Sequence, residues 1–164
     1  MPIQPTPNGT RGTAMVGTKL LRKVFEPLAK RQVGAYRRTG GTDRMSRMMK
    51  FPVVLLTTKG ARSGAERIAP LGAFQDGDDA WLIVASNGGS KTHPAWLNNM
   101  IKHPDDIWLE VGKRKMKVRA EALTGAAREE AYRRIATAAP QYGGYPKKTD
   151  RLIPVIRLTA VSGS

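Results

Sequence analysis

Two glycine-containing segments of this chain carry residue types that bind anions, and each follows a stretch typical of a β-strand. The first runs from Lys59 to Arg67 (Lys-Gly-Ala-Arg-Ser-Gly-Ala-Glu-Arg), and the second runs from Ser86 to Lys91 (Ser-Asn-Gly-Gly-Ser-Lys). Glycine lets successive N–H groups point into one concavity, and the lysine and arginine side chains add full positive charges. Two such turns predict a ligand that is both long and negatively charged.

A short helix is predicted after the second turn, from Pro94 to about His103. Proline is favoured in the first turn of a helix, where its missing N–H costs nothing. The free N–H groups at such a helix start attract negative charge. The three- and four-residue spacing places Trp96, Asn99 and Met100 on one side of this helix.

The other chemistry-bearing residues form no recognisable hydrolytic, nucleotide or metal motif. The chain has no cysteine, and its two histidines, His93 and His103, lack the spacing of zinc ligands. Ser86 lies outside a Gly-x-Ser-x-Gly turn, and there is neither a Walker A sequence nor a Gly-x-Gly-x-x-Gly sequence. An enzyme built on this chain is therefore expected to take its chemistry from an organic cofactor and not from a metal.

Four motifs, in order and at compatible spacing, resemble those of the deazaflavin-dependent nitroreductase family. They are LLTTKGARSG at 55–64, ASNGG at 85–89, HPAWLNN at 93–99 and PQYGGY at 140–145, within a resemblance that covers about residues 50 to 160. The resemblance implies that coenzyme F-420, an 8-hydroxy-5-deazaflavin, binds in a split β-barrel. It further implies that the reduced coenzyme delivers a hydride from its C5 carbon to a small acceptor, namely a quinone, an activated enone or a nitroaromatic compound.

The resemblance also implies roles for individual residues. The segment that matches the family's phosphate and oligoglutamate site contains Lys59, Gly60, Arg62, Ser63 and Gly64, and Arg67 adds a further cation. The segment beside the ring and ribityl chain contains Ala85, Ser86, Asn87, Gly88 and Gly89, followed by Pro94, Trp96 and Asn99. The candidate catalytic residues are Ser86, as a hydrogen-bond or proton donor, and Tyr142 and Tyr145, as walls of the acceptor pocket. Asn87 stands where the best-known nitroreductase of the family has a lysine, so that protein's nitroreduction does not transfer directly.

The elements that must position these residues predict a mainly β domain of the α+β class. Six short strands are predicted at residues 51–58, 67–75, 80–85, 107–111, 113–123 and 151–161, and their hairpin turns favour an antiparallel barrel. Pro70 favours an edge position for the second strand. Thr124 can cap a helix over residues 128–138. Together with the split barrel that the resemblance implies, these elements predict a six-stranded antiparallel split β-barrel, similar to FMN-binding barrels, with flanking helices and an N-terminal helical arm.

The formal net charge of +15 is concentrated near the N-terminus, since residues 11–50 carry eleven Lys and Arg against Glu26 and Asp43. Three regions are predicted: a disordered N-terminus (1–13), a basic amphipathic helical arm and linker (14–50), and the barrel domain (51–164). Pro27 predicts a kink or an interruption of the arm helix. Its apolar residues suit either packing on the barrel or an anionic membrane surface; they are Leu20, Leu21, Val24, Phe25 and Leu28.

Several alternatives remain open at this level. Split barrels also bind FMN, although the extra cations Lys59, Arg62 and Arg67 favour a ligand with a carboxylate-rich tail. The basicity suits nucleic acid, but the aromatic content is only 6% and the basic strand from Lys113 to Arg119 carries no aromatic cluster for base stacking. A cofactor carrier without turnover is a third alternative. With no membrane-spanning run or secretory signal, the expected location is the cytoplasm, with the inner face of the cell membrane as a peripheral site. The sequence does not distinguish a monomer from an oligomer.

Overall fold

A computed structural model describes residues 3–13 and 19–162 of the chain, and for residues 19–25 it describes the backbone alone. One curled antiparallel sheet of seven strands forms the centre. Its strands are β1 (Val53–Lys59), β2 (Glu66–Gly72), β3 (Phe74–Gln75), β4 (Ala80–Val84), β5 (Trp108–Val111), β6 (Arg114–Ala122) and β7 (Val155–Ala160). They lie in the order β2-β1-β5-β6-β7-β4-β3. The predicted mainly β split-barrel class is confirmed, with seven strands in place of six.

The additional strand arises because the predicted strand over residues 67–75 is two strands. The chain changes partner at Ala73, where β2, paired with β1, ends and β3, paired with β4, begins. The N–H group of Ala73 bonds the carbonyl oxygen of Pro52 at 3.0 Å. An extended run of residues does not reveal such a change of partner. Pro70 lies in β2 at the edge of the sheet, as its missing N–H predicts.

Five helices accompany the sheet: α1 (Lys19–Thr39), α2 (Arg44–Met48), α3 (Ala95–Lys102), α4 (Gly125–Ala138) and α5 (Tyr145–Lys148). Short 3-10 segments cover Asn87–Gly89 and Pro140–Gly144. Thr124 occupies the position before α4, but its side chain makes no capping hydrogen bond. Helix α3 connects β4 to β5 and therefore lies directly after the second glycine turn.

Two apolar clusters hold these layers together. The first fills the barrel and joins the sheet to α3 through residues such as Leu56, Ile83, Leu97 and Met100. The second packs α4 and the segment 139–142 on the other face of β4 and β7; its members include Leu82, Ile135, Tyr142 and Val155. Because both faces of β4 are covered, all five of its residues are buried, which explains its continuous run of apolar side chains.

The C-terminal end of α1 is fixed to the barrel by two polar contacts. The hydroxyl of the buried Tyr36 donates to the carbonyl oxygen of Val53 at 2.8 Å and accepts from the N–H of Gly112 at 3.0 Å. Next to it, the guanidinium of Arg37 makes a bidentate pair with the carboxylate of Glu110, at 2.9 and 3.0 Å. These contacts place α1 against β1 and the β5–β6 turn.

Of the kink or interruption predicted at Pro27, the interruption is wrong, because α1 continues from Lys19 to Thr39 with Pro27 inside it. The kink stays a prediction. The side chains of the predicted apolar stripe at residues 20–25 lie outside the described residues, while Leu28 is exposed. No helix in the described part of the chain is both long and apolar enough to span a membrane.

Residues 3–13 belong to the N-terminal segment for which the composition predicts disorder, and that disorder stays a prediction. Residues 3–13 follow an extended path beside the second glycine turn, with hydrogen bonds from Gly9 N–H to Lys91 O at 2.8 Å and from Thr13 N–H to Gly89 O at 2.9 Å. Composition alone predicts disorder here because the segment has few apolar residues. Its partners are backbone groups about 80 residues away in the chain, which a local composition does not reveal.

Candidate functional site

The first glycine turn is a compact loop between β1 and β2. The N–H of Gly60 bonds the carbonyl oxygen of Ala65 at 2.7 Å, and the N–H of Gly64 bonds the carbonyl oxygen of Gly60 at 2.9 Å. Gly64 has a φ of 69°, in the left-handed region that favours glycine. The Ser63 hydroxyl accepts from the N–H of Ala65 at 3.1 Å, so it is used within the turn.

The cations predicted for the anionic end of a ligand surround this turn. Arg62 and Arg67 are exposed, and Lys59 is half-exposed with its Nζ 3.7 Å from the Asp106 carboxylate. An exposed ion pair at that distance is worth little, so Lys59 can exchange it for a ligand anion. The turn therefore offers one ammonium and two guanidinium groups to solvent.

Asn99 joins the first turn to α3. Its side-chain oxygen accepts from the N–H of Ala61 at 2.9 Å, and its side-chain nitrogen donates to the hydroxyl of Thr58 at 3.0 Å. Only 7% of Asn99 is exposed. Both ends of the amide thus bond protein groups, so Asn99 positions the turn; the direct cofactor contact predicted for it stays a prediction.

The second glycine turn has three consecutive residues in the left-handed region. The φ angles are 45° at Asn87, 64° at Gly88 and 80° at Gly89. The Asn87 side chain steadies its own strained backbone by donating to the carbonyl oxygen of Thr92 at 3.1 Å. The N–H groups of Gly89 and Ser90 bond the carbonyls of Ser86 and Asn87, whereas those of Asn87 and Gly88 take no part in these bonds. A methyl group at Gly88 would meet no atom within 4 Å, so the turn faces open space there.

Arg151, which the sequence analysis did not select, fixes the other side of this turn. Its guanidinium donates to three carbonyl oxygens, those of Ala85 (3.0 Å), Ser86 (2.8 Å) and Ser90 (3.1 Å). A fourth bond, of 2.9 Å, reaches Nδ1 of His93. Arg151 is only 5% exposed, and burial lowers the pKa of its guanidinium, which nevertheless stays charged. In the sequence, this role of Arg151 is indicated by nothing more than its position just before the apolar strand β7.

His93 links Arg151 to the N-terminal segment. Because Nδ1 accepts from Arg151, the ring proton of a neutral His93 lies on Nε2, which is 3.0 Å from the carbonyl oxygen of Thr6. Burial is the largest cause that lowers the pKa of His93, and the positive charge of Arg151 lowers it further. The imidazole is therefore neutral and serves as a bridge between two backbone segments.

Both turns border α3. The first contacts it at Asn99, and the second leads through the buried Pro94 into its first residue, Ala95. Ala95 and Asn99 are four residues apart, so the two contact points lie about 6 Å from each other along the helix axis. Trp96, half-buried on the first helical turn, packs against the barrel core. The predicted neighbourhood of the two turns is thus present along one short helix.

The two predicted acceptor-pocket tyrosines have different environments. Tyr142 is buried, and its ring packs edge-on against Phe51, Phe74 and Tyr145 at centroid distances of 5.3 to 5.6 Å. Burial strongly raises the pKa of its hydroxyl, and its ring is part of the second apolar cluster. Tyr145 is half-buried at the start of α5. Helix α5 approaches the second turn, because a methyl group at Gly89 would lie 2.9 Å from Cβ of Lys148. The catalytic roles of both tyrosines stay predictions.

No group of three His, Cys, Asp or Glu side chains in the described residues is arranged to hold a metal ion. The polar groups of the site are instead backbone N–H groups, one serine hydroxyl and exposed cations. This donor set suits a phosphate and carboxylate ligand.

The link made by Asn99 gives a direct test of how the first turn is held. Replacing Asn99 by Ala leaves the N–H of Ala61 and the hydroxyl of Thr58 without a partner, so the free energy of unfolding should fall by about 1–3 kcal/mol. Urea unfolding measures this change. The exposed neighbour Asn98, changed to Ala, is the matched control and should alter stability by less than about 0.5 kcal/mol. Equal effects of the two substitutions would contradict the positioning role.

Comparisons with known proteins identify the family of this chain. The family model for F420H(2)-dependent quinone reductases matches residues 28–160. The F420H(2)-dependent quinone reductase of Mycobacterium tuberculosis (strain ATCC 25618 / H37Rv) is 35% identical over 113 residues, which cover 66% of this chain and 73% of that protein. A solved F420-H2 dependent reductase (FDR-A) is 37% identical with a TM-score of 0.59, covering 65% of this chain and 93% of that one. A second solved structure, described as a domain-swapped dimer, is 31% identical with a TM-score of 0.61, covering 84% of this chain and 98% of that one. This chain therefore belongs to the F420H(2)-dependent quinone reductase family.

Proposed function

We propose that this F420-dependent oxidoreductase binds coenzyme F-420 along α3 and passes a hydride from the reduced coenzyme to a quinone. The observation that carries the proposal is that the two glycine turns border the same short helix, one at Asn99 and the other at Ala95. A ligand with an acidic tail at one end and a ring at the other can therefore contact both turns at once.

The first turn suits the phosphate and the oligoglutamate tail. Arg62 and Arg67 are exposed, and Lys59 has only a long ion pair to exchange. A guanidinium can form paired, charge-assisted hydrogen bonds with a carboxylate or a phosphate oxygen. The N–H groups of Gly60 and Gly64 bond within the turn and hold its shape. On this proposal, the cations bind the ligand and the glycines position the cations.

The second turn suits the ring end. The N–H groups of Asn87 and Gly88 take no part in the internal bonds of the turn and are available to ring or ribityl oxygens. Arg151 holds the carbonyls of Ala85 and Ser86 on the opposite side, which keeps their negative dipoles inside the protein. Coenzyme F-420, when bound in its reduced form, supplies the hydride through C5 of its ring.

The chain's own contribution to the reaction is orientation and a proton. Ser86 directly precedes the left-handed turn, and we assign its hydroxyl the role of a hydrogen-bond donor to the acceptor that receives the hydride. The ring of Tyr142 packs edge-on against that of Tyr145 at 5.3 Å, and we assign Tyr142 the role of supporting Tyr145. Tyr145, which is half-buried, is the tyrosine that we assign to the wall of the acceptor site.

Two measurements on the full chain test this function. Titration of coenzyme fluorescence should give tight binding of F-420 and much weaker binding of FMN, because FMN lacks the oligoglutamate tail that the three cations favour. Stopped-flow oxidation of the reduced coenzyme should be faster with a soluble benzoquinone than with an enone or a nitroaromatic compound. Preferential binding of FMN would refute the cofactor assignment, and oxidation by nitroaromatics alone would refute the acceptor.

Substitution of Arg62 should weaken the binding of the coenzyme tail and leave the binding of the ring unchanged. Changing Arg62 to Ala should weaken binding of the tailed coenzyme about tenfold, since a charge-assisted hydrogen bond is lost. Binding of a precursor with ring and ribityl chain but no tail should change less than about twofold. The exposed Arg133 on α4, changed to Ala, is a matched control that should affect neither ligand. An equal loss for both ligands after Arg62→Ala would show that Arg62 does not read the tail.

We further propose that the face around α2 binds an anionic membrane surface, where an apolar quinone would be concentrated. The exposed apolar residues there are Met45 (50%), Met48 (65%) and Met49 (39%). The methionines share one face of α2 at three- and four-residue spacing. The exposed cations in the same segment of the chain are Arg44, Arg47 and Lys50. Exposed apolar side chains beside lysine and arginine suit a surface that enters the headgroup region of anionic lipid.

Co-sedimentation with phosphatidylglycerol vesicles tests this surface. Changing Met45 and Met48 together to Gln should weaken binding about tenfold, because two apolar side chains worth about 1–2 kcal/mol together no longer enter the bilayer. Leu152, which is 56% exposed at another place, provides the control as Leu152→Gln. Unchanged binding of the double variant, or equal binding to uncharged vesicles, would contradict the proposal.

A further inference from the structure

Residues 3–13 lie against the second glycine turn closely enough to shape it. Two backbone hydrogen bonds join them, from Gly9 N–H to Lys91 O and from Thr13 N–H to Gly89 O. Thr13 also forms a parallel bridge with Ser90. The segment therefore adds backbone partners to the part of the turn that follows Gly88.

Gly12 allows this approach because it has no side chain. A Cβ atom there would lie 2.3 Å from the N of Lys91, 2.7 Å from the carbonyl carbon of Ser90 and 2.8 Å from the carbonyl oxygen of Gly89. All three are backbone atoms of the turn, so no side-chain movement can make room. Any larger residue at position 12 must displace either the segment or the turn.

Asp150 anchors the segment from the other side. Its carboxylate accepts from the N–H groups of Thr10 and Arg11, both at 2.9 Å, and from the Thr10 hydroxyl. The hydrogen bond from the Thr10 side chain is the main cause that lowers the pKa of Asp150 to about 2, so the anchor is charged at physiological pH. The hydroxyl of Thr149 donates to the carbonyl oxygen of Arg11 at 2.7 Å.

The next residue after the anchor is Arg151, which binds the turn itself. One guanidinium thus bonds the carbonyls of Ala85, Ser86 and Ser90, and through His93 it reaches Thr6 in the N-terminal segment. The turn is held between two parts of the chain that are far apart in sequence and that also bond each other.

We propose that residues 3–13 form a clasp that holds the second glycine turn in its ligand-binding shape, with Gly12 and Asp150 as positioning residues. This inference rests on the proposed function, because it assigns the turn to the ring end of the coenzyme. A clasp of this kind orders Asn87–Gly89 before binding, so the ligand does not have to order them. The N-terminal segment is then part of the coenzyme site although it contains none of the recognised motifs.

The test compares Gly12→Ala with Gly34→Ala in the full chain. A Cβ at Gly34 would have its nearest neighbour at 3.9 Å, so that substitution controls for the loss of a glycine. Hydrogen exchange of the coenzyme-free protein reports on the turn, and fluorescence titration reports the affinities for the tailed coenzyme and for the tail-less ring compound. In Gly12→Ala, amides of residues 88–91 should exchange at least about tenfold faster, and both affinities should fall by about the same tenfold factor. Gly34→Ala should change neither.

A second variant, Thr13→Pro, removes one N–H donor to the turn without a side chain at the closest contact, and it should act in the same direction. If Gly12→Ala proves unstable, Thr13→Pro decides alone. Faster exchange with unchanged affinities would overturn the clasp as a determinant of binding, and unchanged exchange in both variants would overturn it as a support of the turn. A loss of affinity confined to the tailed coenzyme would also contradict the proposal, because residues 3–13 would then affect the tail end of the ligand and not the ring end. If the unmodified protein binds no deazaflavin, the proposed function fails, while the exchange data still decide whether residues 3–13 hold the turn.

Discussion

The rest of the site depends on the buried guanidinium of Arg151. Within the described residues no carboxylate pairs with it, so its charge is stabilised by backbone carbonyl dipoles of Ala85, Ser86 and Ser90 and by one imidazole nitrogen. Burying a charge is costly unless hydrogen bonds replace the lost water, and a planar guanidinium can make several such bonds at fixed angles. The carbonyls of the turn are thereby held inside, whereas the N–H groups of Asn87 and Gly88 take no part in the backbone hydrogen bonds found within the turn.

Helix α3 fixes the position of this second glycine turn relative to the first glycine turn. The helix is short and well packed through Leu97 and Met100, so the distance between its N-terminus and Asn99 is fixed by backbone geometry and not by loop conformation. The side-chain oxygen of Asn99 accepts a hydrogen bond from the N–H of Ala61, and this bond fixes the first glycine turn relative to α3. The site thus separates two kinds of residue. Buried polar side chains set the backbone shape, while cations such as Arg62 are exposed to solvent.

Much of this arrangement could be predicted from the sequence, but the connections could not. The strands, the two turns, the short helix and the split-barrel class follow from local patterns of apolar residues, glycine and proline, together with the family motifs. The predicted interruption at Pro27 is wrong, because α1 continues through it, and a change of strand partner at Ala73 divides the strand predicted over residues 67–75. The hydrogen-bond partners of residues 3–13 at Asp150 and Lys91 could not be predicted from the composition of the N-terminus. The three aromatic neighbours of Tyr142 likewise come from other parts of the chain or from the fold of its own loop.

The sequence by itself determined which residues can adopt left-handed turns, which segments are apolar enough to form a barrel, and which exposed cations can meet an acidic ligand. These properties belong to each residue and its immediate neighbours. The tertiary structure alone decided that Asn99 holds the first turn, that Arg151 holds the second, and that Gly12 lies against the backbone of Lys91. Such contacts join groups that are 38 to about 80 residues apart, and they form only when the folded barrel removes water and brings the groups within hydrogen-bond distance.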